Sequence, residues 1–443
     1  MHRFGGNVSK RHGSFSLTGI NLQYSLLNFA QSQNPLSITV VPCSTKSWRQ
    51  LLRDTHQLRW VDAEKVFPHG ERLPFAESIP ILFWGEGYED CSKPFVERRQ
   101  DGSIVFYADI IASTFFMLTR WEETVSPVRD VHGRFPASAS VAFKQGFLDR
   151  PVVDEYAMIL QSWIKTLLPE WEPQTPLFSV KLSHDIDSIR VVSVRRVVGD
   201  LLKRRNISSA VNSFCQLIRP SLDPAYQGCY RLADLSEKYA FQSAFYFMAA
   251  QRSLYDSGYD IQSKNLIRLI HDLRHRGHEI GFHPSYLSFS DPERFLMEKQ
   301  RLDVALGSTK YGGRQHYLGF SVPDSWRMWN DAGLKYDSTV GYADCEGFRC
   351  GTCHSFHPFD VEKDLALDLL EVPLIVMDVT LKQYKMLSPA EAQERILVLA
   401  RRCKEVSGVF TLLWHNTSLQ NDWKIWFFMY ENVLMHLATL NEC

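Results

Sequence analysis

The stretch FSVKLSHDID, residues 178–187, indicates how the second half of the chain folds. Three of its first six residues, Phe178, Val180 and Leu182, are apolar, as in a buried strand, and the stretch runs directly into His184, Asp185 and Asp187. In parallel α/β architectures, reactive side chains gather at the carboxyl ends of the strands, where loops shape a pocket above a rigid core. The stretch therefore predicts an α/β fold with a functional site at the end of this strand.

Strands and helices alternate from this point to the end of the chain. Further strands are predicted at 244–249, 278–283, 371–377 and 409–414, and an extended segment at 316–320. Helices are predicted at 191–205, 231–240, 264–276, 292–306, 323–332, 390–406 and 423–440. Alternation over roughly 270 residues predicts a parallel sheet, and this many units favour a barrel over an open sheet.

A proline-rich stretch, LPEWEPQTP at 168–176, separates the two halves of the chain. Proline disfavours helix at the residue before it and cannot join a strand ladder, so this stretch is interpreted as a linker. We predict a smaller mixed α/β domain at 1–172 and an α/β barrel at 173–443. In the first domain, strands are predicted at 81–84 and 103–107 and helices at 108–123 and 153–168, without a catalytic spacing of titratable residues.

Composition argues against several classes of protein. The 49 Lys and Arg residues nearly balance the 50 Asp and Glu residues, so no global field favours nucleic acid. The longest apolar runs are too short to span a bilayer, and the polar first residues lack the apolar core of a secretory signal. The nine scattered cysteines do not resemble a disulfide framework. We therefore expect a cytoplasmic protein.

Three more apolar runs of the second half also end in His or Asp. EIGF is followed by His283, LIVM by Asp378 and VFTLLW by His415. A single histidine at a strand end is more often a satisfied core residue, but four such ends at one rim favour a functional site. Of the two carboxylates in 185–187, one could bind a divalent metal while the other takes a proton from an attacking water.

Ordered motifs relate residues 176–443 to a known superfamily. They are SHDID at 183–187, GHEIGFH at 277–283, RQHY at 314–317, EVPL at 371–374 leading into Asp378, and LWH at 413–415. Together they resemble the polysaccharide deacetylase superfamily, also called the NodB-homology or carbohydrate esterase 4 family. The resemblance implies a distorted (β/α)7 barrel that hydrolyses an N-acetyl amide with the help of a metal.

The resemblance also implies catalytic roles. Asp185 would be the base, Arg314 its partner and His415 the general acid. The backbone N–H of Tyr317 would help to stabilise the oxyanion. The acetyl pocket would be lined by Leu413, and Trp414 is placed beside it as a further candidate.

For the metal, the resemblance implies Asp187 and His283 as ligands of a divalent cation, with Zn²⁺ first among the candidates. The family's second motif has another histidine four residues after the first, and Leu287 occupies that position here. His316 replaces the family's proline in the third motif, which leaves two equal interpretations, a third ligand or a contact to substrate. Poorer candidates for a third ligand are His184 and Ser285.

The N-terminal half resembles, more loosely, a domain that accompanies one bacterial branch of the superfamily. The resemblance lies in IPILF at 79–83, HGRFP at 132–136 and GFLDRP at 146–151. It implies a place in surface-polysaccharide or O-antigen biosynthesis. The expected partner is an N-acetylated sugar, whether nucleotide-linked, lipid-linked or polymeric. Two alternatives remain, a catalytically inactive glycan-binding barrel, favoured by Leu287, and a metal-independent hydrolase of another C–N bond.

The stretch CGTCH at 350–354 matches the signature of covalent haem attachment and, with Cys345, suggests a zinc knuckle. Haem attachment of this kind would need export, for which the sequence has no signal. The favoured interpretation is a loop over the pocket, in which Arg349 or Asp344 meets substrate.

Overall fold

A computed structural model describes residues 15–17, 20–22, 37–53, 58–68, 73, 77–90, 92–194, 198 and 207–442. Within these residues the strands are β1 (Phe15–Leu17), β2 (Ile20–Leu22), β3 (Ile38–Val40), β4 (Arg59–Asp62), β5 (Ser78–Ile81), β6 (Val96–Arg98), β7 (Ile104–Phe106), β8 (Ser179–Ile186), β9 (Ser243–Phe247), β10 (Glu279–Phe282), β11 (Tyr336–Asp337), β12 (Phe359–Asp360), β13 (Leu365–Ala366), β14 (Leu370–Glu371), β15 (Val376–Met377) and β16 (Val409–Leu413).

The helices of the same residues are α1 (Thr45–Arg53), α2 (Ile110–Leu118), α3 (Trp121–Val125), α4 (Val141–Lys144), α5 (Val152–Leu167), α6 (Ile207–Ile218), α7 (Pro224–Lys238), α8 (Lys264–His275), α9 (Pro292–Leu306), α10 (Asp324–Asp331), α11 (Pro389–Glu405) and α12 (Lys424–Glu442). Most of the predicted helix at 191–205 lies outside the described residues. None of the described helices is both long and apolar enough to cross a membrane.

Five parallel strands form the centre of the second half. Their spatial order is β10-β9-β8-β16-β15, and helices return the chain between successive strands of the sequence. The strands predicted at 178–183, 244–249, 278–283 and 409–414 are confirmed as β8, β9, β10 and β16. Helices cover this sheet, and β8 is buried from Leu182 to Ile186.

The parallel set continues beyond β10 through a single glycine. Gly313 is bridged in parallel to Phe282 of β10 and to Asp337 of β11, and β11 pairs with β14. The segment 370–377 then pairs with β11 through β14 and with β16 through β15, so it borders both ends of the set. The mixed α/β fold is confirmed. Closure of the strands into a (β/α)7 barrel stays a prediction.

The N-terminal half has its own apolar core. Its buried residues run from Val66 to Ile164 and are joined by Tyr342 and Cys345, whereas the core around the parallel sheet begins at Leu182. The division into domains at 172/173 stays a prediction. The helix predicted at 108–123 is wrong as a single element, because Arg120 adopts a left-handed backbone with φ 50° and separates α2 from α3.

Buried polar contacts join the N-terminal half to the loop at 344–354. The Arg349 guanidinium, 2% exposed, donates to both carboxylate oxygens of Glu123 at 2.9 and 2.5 Å. Asp344 accepts the Ala137 N–H at 3.1 Å. Arg349 therefore faces the other half of the chain. Because its guanidinium is buried in this ion pair, the interpretation that Arg349 meets substrate is wrong.

Candidate active site

Side chains predicted for the site come together at the carboxyl ends of the parallel strands. They are Asp185 and Asp187 at the end of β8, His283 after β10, Arg314 and His316 after Gly313, and His415 after β16. Each of the histidine and arginine side chains has a nitrogen 2.9 to 3.9 Å from a carboxylate oxygen of Asp185 or Asp187. Parallel strands end at one edge of a sheet, which is why residues more than 200 positions apart meet there.

Asp185 is held by a buried arginine. Its Oδ1 accepts from Arg314 Nη1 at 2.9 Å, and both residues are at most 3% exposed. The same guanidinium donates to Ser183 Oγ at 2.9 Å and to the carbonyl and hydroxyl oxygens of Ser338 at 2.8 and 3.0 Å. Because each of these Arg314 N–H groups has a buried acceptor, the guanidinium is held in one position. The Asp185 carboxylate that it contacts is therefore held in place as well.

Asp187, His283 and His316 form a group that could hold a metal ion, with ligand atoms all within 4.8 Å of one another. Asp187 Oδ1 lies 3.0 Å from His283 Nε2 and 3.6 Å from His316 Nε2. The other ring nitrogens have outer partners: His283 Nδ1 donates to the Arg314 carbonyl at 2.7 Å, and His316 Nδ1 lies 2.9 Å from Asp256 Oδ1. Two oriented imidazoles and one carboxylate fit a zinc-type cation.

The charges of this group shift its pKa values. Burial would raise the pKa of Asp187, but the neighbouring His316, His415 and His283 outweigh burial and lower it. Burial would lower the pKa of His283, but the charges of Asp185 and Asp187 and the hydrogen bonds of the ring together outweigh burial and raise it. Asp187 is therefore an anion surrounded by imidazoles, an arrangement that favours a carboxylate ligand.

Leu287 lies outside this group. It is 44% exposed on the short turn Tyr286–Ser290, so the position that carries histidine in the resembling family contributes no ligand here. Of the two poorer candidates, Ser285 donates to Glu298 and His184 lies 2.7 Å from the Trp414 carbonyl.

Asp256, which orients His316, was missed by sequence reasoning. It lies in a loop without periodicity, where a single acidic residue gives no signal.

His415 is paired with a second buried carboxylate. Its Nδ1 lies 2.7 Å from Asp378 Oδ1, its backbone N–H donates to Asp378 Oδ2 at 3.0 Å, and its Nε2 lies 3.7 Å from Asp187 Oδ2. Burial would lower the pKa of His415, but the charges of Asp378 and Asp187 raise it to about 10. His415 therefore carries a proton that it can give up at the site. The sequence marks Asp378 as a residue at a strand end but does not predict its pairing with His415.

The remaining predicted residues divide between the site and the core. Tyr317, with a left-handed φ of 59°, directly follows His316, and such strained backbone clusters at functional sites. Leu413 is buried in a small apolar cluster with Leu318. The structure places Trp414 in the main core instead, stacked on Tyr430 at 4.4 Å, because alternate residues of a strand point to opposite faces.

In a second group, Asp154, Cys353 and His354, the possible ligand atoms also lie within 4.8 Å of one another. Asp154 already accepts from the Thr352 hydroxyl at 2.7 Å and from the Cys353 N–H at 3.0 Å. His354 Nε2 lies 2.9 Å from the Val406 carbonyl. These bonds satisfy the buried carboxylate without an ion and connect α5 to the loop at 350–354, so we interpret this group as a contact between the two halves.

Comparison with known proteins finds one family model and several solved structures that are similar to parts of this chain. A family model described as a family of unknown function (DUF7033) matches residues 22–169. No curated protein sequence matches the chain. A putative polysaccharide deacetylase from Mycobacterium smegmatis is similar in structure at 16% identity and a TM-score of 0.40, over 60% of this chain and 86% of that one.

Two further structures are similar at lower identity. A carbohydrate esterase 4 family pseudoenzyme from Bacillus anthracis aligns at 10% identity and a TM-score of 0.29, over 61% of this chain and 62% of that one. PuuE allantoinase aligns at 12% identity and a TM-score of 0.37, over 61% of this chain and 87% of that one. At such identities the similarity concerns the fold alone.

Proposed function

We propose that this chain is a metal-dependent hydrolase that removes the acetyl group from an N-acetylated sugar. The observation that carries the proposal is the arrangement of Asp187, His283 and His316 beside Asp185. A cation site next to a buried carboxylate with an arginine partner suits hydrolysis of an unactivated amide. A place in bacterial surface-polysaccharide or O-antigen biosynthesis belongs to the same proposal and is supported only by the motifs of the N-terminal half.

The mechanism assigns one task to each group. Asp187, His283 and His316 would hold a divalent cation such as Zn²⁺, which when bound supplies Lewis-acid polarisation of the acetyl carbonyl. Asp185, held by Arg314, takes a proton from the attacking water. The Tyr317 N–H stabilises the developing oxyanion.

His415 completes the reaction. Its proton passes to the sugar nitrogen as the C–N bond breaks, because an unprotonated amine leaves poorly. The paired Asp378 keeps the imidazole protonated and oriented until that step. Water and amide are consumed, and acetate and a free amino sugar are formed.

The experiment is release of acetate from N-acetylated sugars, with and without a chelator, together with metal analysis. We expect acetate release that the chelator abolishes, and one equivalent of divalent metal that Asp187→Asn removes. Asp185→Asn should abolish turnover but retain the metal, since its carboxylate is assigned to proton transfer. Leu287→Ala, at an exposed position, is the matched control and should change neither value.

The other outcomes of this experiment would support one of the alternative functions. Acetate release that resists the chelator would indicate a metal-independent hydrolase. Glycan binding without turnover of any N-acetylated sugar would indicate a catalytically inactive binding module. Near-normal turnover by Asp185→Asn would show that Asp185 is not the base.

A further inference from the structure

A short loop of the N-terminal half reaches the candidate active site. It is a tight turn at 130–134, in which Asp130 accepts the backbone N–H groups of His132 and Arg134 at 2.8 and 2.9 Å. The Arg134 guanidinium, 6% exposed as a residue, donates to the Tyr317 carbonyl at 2.8 Å and to the Tyr384 hydroxyl at 3.1 Å. The loop is thus fastened to the turn that follows His316.

The loop brings His132 into a group of aromatic rings. The group, here called the aromatic wall, consists of His132, Tyr255, Tyr286 and Tyr317. Its ring centroids are 4.0 to 6.1 Å apart, with Tyr255 stacked on Tyr286 and His132 5.0 Å from Tyr317. His132 Nδ1 also lies 3.1 Å from the Tyr286 hydroxyl. Three separate segments of the second half and one segment of the first therefore build one surface.

The aromatic wall adjoins the candidate metal group directly. The rings of His316 and Tyr317 are 4.7 Å apart. Asp256 connects the two as well, because its Oδ1 lies 2.9 Å from His316 Nδ1 and accepts the Tyr286 N–H at 2.9 Å. A ligand whose amide lies at Asp185 has this wall as its neighbour.

The wall is open to solvent, unlike the core. Tyr255 is 39% and Tyr317 36% exposed, whereas Trp326 and Trp329 of the core are fully buried. Rings that served only to join the two halves would be covered, as the Arg349–Glu123 contact is. Exposed aromatic faces beside polar groups are typical of a binding surface.

We propose that the aromatic wall binds the sugar unit next to the one that carries the N-acetyl group. The substrate is then a glycan of at least two sugar units, and the N-terminal half contributes to its binding through His132. The inference rests on the proposed function for the placement of the N-acetyl group at Asp185. The flat C–H face of a pyranose stacks on aromatic rings, and its hydroxyls reach the polar ring edges.

Charge favours a sugar over the nucleotide of a nucleotide-linked substrate. A nucleotide also stacks on aromatic rings, but it brings a diphosphate that needs a cation. Arg134, a basic residue beside the wall, is already paired with Asp130 at 2.7 Å and donates to Tyr317 and Tyr384. Its guanidinium is therefore committed to holding the loop.

The experiment measures binding without turnover. The Asp185→Asn protein is applied to an array of N-acetylated mono-, di- and oligosaccharides that also carries UDP-N-acetylglucosamine. We expect it to bind at least one glycan of two or more units. His132→Ala and Tyr255→Ala, each added to Asp185→Asn, should weaken that binding about tenfold or more. His132→Phe, which keeps a ring, should restore most of it.

Matched controls lie next to each tested residue. Val131 is 93% and Leu254 88% exposed, so Val131→Ala and Leu254→Ala should leave binding within about twofold. Melting temperatures of all variants verify that they are folded.

The proposal is overturned if no glycan binds, if a monosaccharide binds as well as every longer glycan, if UDP-N-acetylglucosamine binds best, or if binding survives both alanine substitutions. Acetate release is measured separately on the unsubstituted protein. If no acetate is released while the array shows the expected binding, the deacetylase proposal is wrong and the proposal that the aromatic wall binds a glycan is retained.

Discussion

The Asp378–His415 pair allows a test at a single residue. Asp378→Asn removes the charge that keeps the pKa of His415 high, while an amide oxygen can still accept a hydrogen bond. Without a protonated His415 the amine leaves poorly, so we expect kcat for acetate release to fall about 10²-fold. Metal content should not change, because Asp378 is not in the ligand group. Asp368→Asn, at an exposed aspartate, is the control, and an unchanged kcat in Asp378→Asn would contradict the assigned proton donor.

Site residues were predictable where a local pattern marks them. Asp185, His283 and His415 each follow an apolar run, and the common edge of parallel strands predicts that they meet. Asp256 and the 130–134 loop could not be predicted. Asp256 stands in an irregular loop, and Arg134 contacts the Tyr317 carbonyl across 183 positions of sequence. Contacts between loops depend on tertiary packing that no periodicity records.

Two predicted secondary-structure elements differ from the structure, and in each case a single residue explains the difference. In place of one strand predicted at 371–377, the structure has two separate strands of two residues each, β14 and β15. Pro373 lies between them and has no N–H to donate to a ladder. The helix predicted at 108–123 breaks at Arg120, whose buried guanidinium is paired with Glu122 and Glu123. The proline was visible in the sequence, whereas the ion pairs form only in the folded chain.

The link between β10 and β11 should depend on the absence of a side chain at Gly313. A Cβ there would lie 1.9 Å from the Phe282 carbonyl oxygen, so Gly313→Ala must separate the two strands. We expect a loss of about 3 kcal/mol or more in the free energy of unfolding, measured in urea. Gly307→Ala is the control: φ is +60° there but no atom lies within 4 Å, so only backbone strain of about 1 kcal/mol is added. Equal losses would show that the close approach does not limit this sheet.

At the scale of the whole molecule, the two halves meet through buried charges as well as through the wall. Arg349 and Arg120 share Glu123, and burial, which would raise the pKa of Glu123, is outweighed by both arginines, so the pKa is lowered. Arg120 also donates to the Tyr342 hydroxyl at 3.0 Å. These contacts place the 130–134 loop against the site, because the loop and Glu123 belong to the same half.

Arg349→Met tests whether this ion pair holds the halves together. The substitution leaves a buried carboxylate with one cation in place of two, and loss of a buried partner typically costs about 3 kcal/mol or more of unfolding free energy. Lys165→Met is the control, since its pair with Glu172 is exposed and should contribute little. Because the interface also positions the Tyr317 turn through Arg134, the Arg349→Met protein should bind glycans on the array more weakly than the Lys165→Met protein. Loss of stability with unchanged glycan binding would mean that the 130–134 loop keeps its place without this ion pair.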